Sequence, residues 1–128
     1  MTIDIIEING SSVASISSDE VVLGSVDDAL DLIGNAGYMG ADGIILNEGN
    51  IKPDFFNLKT RMAGEILQKF SQYRMKLAIV GEFTKYGSKS LTDFIYESNK
   101  GGKISFVSSL EEAKAALVKN GKRTLSGF

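Results

Sequence analysis

The chain has 128 residues, of which 43% are hydrophobic, and its formal net charge is −2. It contains no cysteine and no histidine, which excludes disulfides, thiolate nucleophiles, the commonest transition-metal ligands and the commonest general base. Any catalysis would depend on carboxylates, lysine, tyrosine, serine or threonine, or a bound cofactor.

The acidic balance makes double-stranded nucleic acid an unexpected partner, because that binding needs a basic surface. No apolar run reaches the roughly 18 residues of a membrane span. The N-terminal segment lacks the basic and then apolar pattern of a signal peptide. We therefore expect a cytoplasmic protein that binds neither nucleic acid nor membrane.

A β-hairpin is predicted at the N-terminus. Residues 3–8 are rich in β-branched side chains that partly alternate, which is typical of a strand, and residues 11–17 return as a second strand. Asn9-Gly10 lies between them and favours a tight turn, because both residues tolerate positive φ angles. Residues 21–23 are predicted to add a short strand at an edge.

The rest of the chain alternates between helices and buried strands. The helices show apolar residues at three- and four-residue spacing, and the strands are short continuous apolar runs. In chain order we predict a helix from Ser25 to Gly37, a strand at 43–47, a loop at 48–57, a helix from Leu58 to Tyr73, a strand at 76–80, a loop at 81–87, a helix capped by Ser88 or Ser90 and ended by Gly101-Gly102, a strand at 103–107 and a helix from Ser109 to about Val118.

This order, β-β-α-β-α-β-α-β-α, predicts an α/β fold. Strands joined by helices run parallel, with right-handed crossovers. The hairpin adds an antiparallel member, so the sheet is expected to be mixed and mostly parallel. Residues 1–118 form the single domain, and residues 119–128 form a loose C-terminal tail.

Two carboxylates are expected at the carboxyl edge of this sheet, where open α/β sheets bind ligands. Glu48 follows one buried strand and Glu82 follows the next. Together they could serve as acid and base, or hold a hard cation such as Mg²⁺. The alternative is that both are solvated loop residues, or that one pairs with Lys85 or Lys52.

The loop at residues 81–90 lies between a strand and a helix, where a phosphate-binding loop would lie. Lys85, Ser88 and Lys89 could bind an anion at the helix N-terminus. The loop does not match the P-loop pattern, since Ser88 rather than lysine follows Gly87. The alternative is an ordinary capped helix.

Three aromatic residues are candidates for a partner surface. Phe55 and Phe56 are adjacent in the long loop, so one of them could be exposed and contact a protein. Tyr86 lies in the second loop and could join them. The alternative is that one phenylalanine packs under the loop and the other packs against a neighbouring helix.

Several runs of sequence resemble the bacterial family known as domain of unknown function 4180. The resemblance covers roughly residues 3–118. It implies the α/β fold but no activity. The runs that carry it are Asp54–Thr60, Ala63–Phe70, Lys76–Gly81, Ser88–Asn99 and Phe106–Ala113.

The element order is also similar to the sulfate-transporter and anti-sigma-factor-antagonist (STAS) domains and their SpoIIAA-like relatives. That similarity implies a binding module. Some of these domains are switched by phosphorylation of a serine or threonine at the start of the helix after a central strand. In this chain no hydroxyl residue follows Asn47-Glu48, and Thr60 is predicted within the first turns of the helix.

The sequence therefore favours a non-catalytic interaction or regulatory module of STAS-like type, presenting its two loops to a protein partner. We expect no catalytic residue, no metal and no cofactor. The alternatives are a small-molecule or anion binder using Lys85, Ser88 and Lys89, and a carboxylate-dependent enzyme using Glu48 and Glu82. A symmetric homodimer is compatible with the sequence but not required by it.

Overall fold

The fold is a five-stranded sheet with four helices, seen in a computed structural model that describes the backbone of residues 1–126 and the side chains of residues 1–118. The side chains of the predicted tail, residues 119–128, all lie outside the described residues; its described backbone continues the last helix to Ser126, where a loose tail was predicted. In chain order the elements are β1 Thr2–Ile8, β2 Ser11–Ser17, α1 Val26–Tyr38, β3 Gly43–Asn47, α2 Met62–Gln72, β4 Lys76–Val80, α3 Lys89–Gly101, β5 Ile104–Val107 and α4 Leu110–Ser126.

The sheet has the order β1-β2-β3-β4-β5, so neighbours in sequence are neighbours in space. β1 and β2 pair antiparallel through the Asn9-Gly10 turn, in which both residues have positive φ. The remaining pairs, β2–β3, β3–β4 and β4–β5, are parallel. The prediction of a mixed, mostly parallel sheet with an N-terminal hairpin is confirmed.

The two faces of the sheet are covered by different helices. Alternate strand side chains such as Ile44 and Leu77 join the main core, to which α2 contributes Ile66 and Phe70. The side chains between them, including Ile45, pack with α4 in a smaller cluster. The strands are apolar on both faces because helices cover both faces.

The segment before α2 differs from its prediction. Instead of a loop and an early helix, it forms three 3₁₀ turns, at Glu48–Asn50, Pro53–Phe56 and Leu58–Thr60. Arg61 then adopts a left-handed conformation with φ of 66°, which interrupts the helical path. Because α2 begins only at Met62, Thr60 lies ahead of the helix and not within its first turns, which corrects the prediction.

Two smaller expectations are also refined. The predicted strand at residues 21–23 is reduced to a single bridge, in which Leu23 pairs parallel with Ile51. Of the two proposed caps for α3, Ser88 is the one used, since its hydroxyl oxygen accepts the Leu91 N–H at 3.1 Å.

Candidate functional site

The two candidate loops meet at the carboxyl edge of the sheet. β3 and β4 pair in register, with Asn47 opposite Val80. Glu48 therefore leaves the sheet beside the start of the 81–90 loop. This is the arrangement that the order of strands along the chain predicts.

Glu48 is the centre of a polar cluster at this edge. Its Oε2 lies 2.7 Å from the Lys85 Nζ and also accepts a hydrogen bond from the Tyr86 hydroxyl. Its Oε1 accepts the backbone N–H of Glu82 at 3.2 Å. The Glu48 side chain is only 13% exposed, whereas that of Lys85 is 58% exposed. The cluster thus ties the end of β3 to the loop after β4.

The environment of Glu48 favours its charged form. Burial raises the pKa of this carboxyl, but the bonds from Lys85, Tyr86 and the Glu82 N–H outweigh burial and lower the pKa below its ordinary value near 4.5. Burial, reinforced by the Glu48 carboxylate, raises the pKa of Tyr86 well above its ordinary value of 10.0. Tyr86 therefore remains a neutral donor to an ionised acceptor.

Aromatic rings pack against the Tyr86 side of this cluster. Phe56 stacks on Tyr86 with ring centroids 5.0 Å apart, and Phe55 meets Phe56 edge-on at 5.1 Å. Phe83 in turn meets Phe106 of β5 at 5.3 Å. The position of Tyr86 is therefore fixed by ring contacts as well as by its hydrogen bond.

The predicted partner surface of Phe55, Phe56 and Tyr86 requires a correction. Phe55 and Phe56 are both buried, because the 3₁₀ turn at Pro53–Phe56 turns both rings inward, which a regular strand or helix would not do for adjacent residues. Tyr86 is partly exposed. Both rings lie in the main core, and Phe56 contacts Phe83 and Tyr86 of the 81–90 loop.

The residues suggested for anion binding already have partners. Lys85 pairs with Glu48. Lys89 pairs with Asp93 one turn later in α3 at 3.0 Å. The Ser88 hydroxyl caps that helix. The three residues therefore each have an internal partner, and Glu48 lies beside Lys85; anion binding by them stays a prediction.

The Glu48 and Glu82 side chains lie at the same edge of the sheet, but their carboxylates have different hydrogen-bond partners. Glu82 offers its backbone N–H to Glu48, while its own carboxylate accepts the Thr84 hydroxyl at 3.1 Å. Within the part of the chain that the structure describes, no three acidic side chains come together in a way that could hold a metal ion.

An open groove lies beside the cluster, with a volume of about 610 Å³. Its floor is apolar and its sides carry polar groups. We call it the rim groove and define it by Phe56, Leu58, Lys59, Tyr86 and Ser90. Among the described residues, the Lys59 ammonium and the Ser90 hydroxyl have no partner, so both are available to a ligand.

Asn50 is a residue of this edge that sequence reasoning missed. Its side chain is 3% exposed. Its Nδ2 donates to the carbonyls of Ser18 and Glu20 at 2.8 and 3.0 Å, and its Oδ1 accepts the Asn47 N–H at 3.3 Å. Asparagine in a loop is too common a signal to identify this role, and two of its partners, Ser18 and Glu20, lie 32 and 30 residues away in the chain.

Replacing Asn50 with alanine is expected to lower the free energy of unfolding by about 2 kcal/mol, because three part-buried hydrogen bonds to backbone groups are lost. Urea denaturation followed by circular dichroism would measure the change. Asn35→Ala is the matched control, since Asn35 is exposed on α1, and it should change stability by less than about 0.5 kcal/mol. Equal losses in the two variants would contradict the structural role of Asn50.

Glu48→Gln is expected to cost about 1 kcal/mol at neutral pH, and the cost should shrink in acid. The pKa of Glu48 is lower in the folded chain than in the unfolded chain. Its charge therefore stabilises the fold fully above the unfolded value near 4.5, and this stabilisation is lost as the pH falls through the lower folded value. Urea denaturation of both proteins across this pH range would show their stabilities converging.

The control for this pH series is Glu65→Gln, because the exposed Glu65 carboxylate has no hydrogen-bond or ion-pair partner among the described residues. Glu65→Gln should leave nearly unchanged both the free energy of unfolding at neutral pH and the way that this free energy falls in acid. A constant difference between wild type and Glu48→Gln down to strongly acid pH would contradict the assigned role of the Glu48 charge.

Comparison with known proteins gives one match. The family model described as "Domain of unknown function (DUF4180)" matches residues 8–117. No curated protein matches the chain, and no solved structure matches it. Across the described residues, no helix has both the length and the apolar character needed to cross a membrane.

Proposed function

We propose that this chain, which belongs to the DUF4180 family of domains of unknown function, is a non-catalytic module that binds a protein partner at the rim groove. The observation that carries the proposal is an open groove with an aromatic floor beside a polar cluster whose charges are paired with one another. The element order supports a STAS-like architecture for such a module.

Internal pairing in the cluster argues against catalysis. A general acid needs a raised pKa, and a general base needs a free lone pair directed at a substrate. The pKa of Glu48 is lowered, and both of its oxygens already accept hydrogen bonds. Glu82 accepts from Thr84. The carboxylates therefore stiffen the edge of the sheet, which suits a binding surface better than a reacting centre.

The shape of the rim groove favours a protein segment over a small ligand. Small-molecule sites usually enclose most of the ligand surface, whereas this groove lies open on the surface between the 3₁₀ turns and the start of α3. Leu58 and Tyr86, both partly exposed, provide apolar contact area, and the buried Phe56 supports them. Lys59 and Ser90 stand beside it with unused hydrogen-bonding capacity, as expected of the polar margin of an interface.

Site-specific photo-crosslinking tests the proposal. A photoreactive amino acid at position 59, in the groove, should give a discrete protein adduct in the cells that express this chain. The same amino acid at position 35 on exposed α1 should give none. The adduct should disappear when Ser90→Arg fills the groove with a long side chain, because Ser90 is exposed and its replacement disturbs no buried contact.

The matched control is Asn35→Arg, which adds the same side chain and charge at a distant exposed site. It should leave the adduct from position 59 intact. Adducts of equal yield from positions 59 and 35, or an adduct that survives Ser90→Arg, would overturn the proposal.

A further inference from the structure

A second pocket lies at the opposite edge of the sheet, at the amino ends of β4 and β5. Its volume is about 340 Å³. Its walls include Phe70, which is fully buried, Met75, which is nearly so, and the partly exposed Ile104. Arg74 and Lys103, both exposed, also line it, together with Ser71 and Lys76. We call this the amino-edge pocket. It shares no residue with the rim groove.

Backbone geometry brings the two cations to one pocket. α2 ends just before Arg74, which takes a left-handed conformation with φ of 55°. The Met75 N–H then bonds the Phe70 carbonyl at 2.9 Å, which turns the chain back into β4. The Leu77 N–H bonds the Lys103 carbonyl at 3.0 Å. The segments that carry Arg74 and Lys103 therefore run side by side.

The charge of the pocket is unbalanced. Among residues 1–118, the side chains of Arg74 and Lys103 have no hydrogen-bond or ion-pair partner. The pocket lining contains no carboxylate. Lys76 also lines the pocket, but its ammonium is directed at the Leu117 carbonyl at 3.4 Å. Among the described residues, the pocket thus combines two unpaired cations with an apolar wall.

We propose that the amino-edge pocket binds a small amphiphilic anion, with a carboxylate held by Arg74 and Lys103 and an apolar body against Ile104 and Met75. A guanidinium can hold a carboxylate through two parallel hydrogen bonds. The volume lies at the lower end of the range for small-molecule sites, roughly 300–1,000 Å³. A medium-chain carboxylate fits both the space and the charge.

Titration of isotope-labelled protein with octanoate, followed by two-dimensional NMR, tests this inference. Octanoate should shift the amide signals of residues 70–76 and 103–104 saturably and leave those of the rim groove unchanged. Acetate carries the charge without the chain, and octanol carries the chain without the charge. Both should bind at least about tenfold more weakly, a difference of about 1.4 kcal/mol.

The decisive variant is Arg74→Gln combined with Lys103→Gln, which should weaken octanoate binding at least tenfold without unfolding the chain, because both side chains are exposed. Lys89→Gln combined with Lys114→Gln removes the same charge elsewhere and should leave the affinity unchanged. Octanol binding as tightly as octanoate would overturn the inference. An equal affinity in the two double variants, or shifts centred on the rim groove, would also overturn it.

Discussion

Replacing Phe55 with alanine is expected to lower the free energy of unfolding by about 3–5 kcal/mol, the largest loss at any single position considered for this chain. Phe55 is fully buried in the main core. Its ring supports Phe56, which in turn stacks on Tyr86. Removing the ring leaves a cavity under the rim groove. Because domains are stable by about 5–15 kcal/mol, such a loss is a large fraction of the total.

Urea denaturation monitored by circular dichroism measures this loss. Tyr38→Ala is the matched control, because it removes a ring that is 94% exposed and should cost less than about 0.5 kcal/mol. Similar losses for Phe55→Ala and Tyr38→Ala would contradict the placement of Phe55 beneath the groove. Phe55→Leu should recover about half of the lost stability, because it refills most of the cavity.

The second large effect is expected at Gly81, where alanine should lower the free energy of unfolding by about 2–4 kcal/mol. A Cβ at this position would lie 2.6 Å from the Glu48 Cβ and 2.7 Å from its Oε1. These distances are too short for unbonded atoms, so Glu48 would have to move. Its bonds to Lys85 and Tyr86 would then break. Thermal and urea denaturation would both report the loss.

Gly64→Ala is the matched control for this substitution. Gly64 lies within α2, and a Cβ there would meet nothing within 4 Å. The same substitution should therefore be neutral or stabilise the helix by up to about 1 kcal/mol. A destabilisation of equal size at both glycines would show that contact with Glu48 is not the cause.

A double-mutant cycle tests whether the clash at Gly81 is with the Glu48 side chain. Both of the shortest contacts of an added Cβ at Gly81 belong to the Glu48 side chain. Gly81→Ala should therefore cost at least about 1 kcal/mol less in a Glu48→Gly background, where that side chain is absent. Additive costs would contradict a direct clash between the two positions.

The contacts of the candidate side chains bear on the functional alternatives drawn from the sequence. Each charged side chain proposed for anion binding has an internal partner, and the Glu48 and Glu82 carboxylates have different partners. Among the described residues of this edge, the rim groove carries two polar side chains without a partner, Lys59 and Ser90. These groups support the proposed binding surface, and the anion-binding and catalytic alternatives stay predictions.

The sequence by itself determined the order of the elements, the mixed sheet and the meeting of the Glu48 and Lys85 loops. These features follow from local patterns. Apolar periodicity distinguishes helix from strand, Asn9-Gly10 fits a hairpin turn, and strands linked by single helices end at a common edge. None of these inferences depends on where a particular side chain points.

Only the tertiary structure decided how the candidate residues are used. Glu48 meets Tyr86 across 38 positions, and Asn50 meets Ser18 across 32. The left-handed Arg61 places Thr60 outside α2, and a 3₁₀ turn buries both Phe55 and Phe56. The physical reason is that hydrogen bonding and burial depend on side-chain direction and on distant partners, and local sequence patterns specify neither.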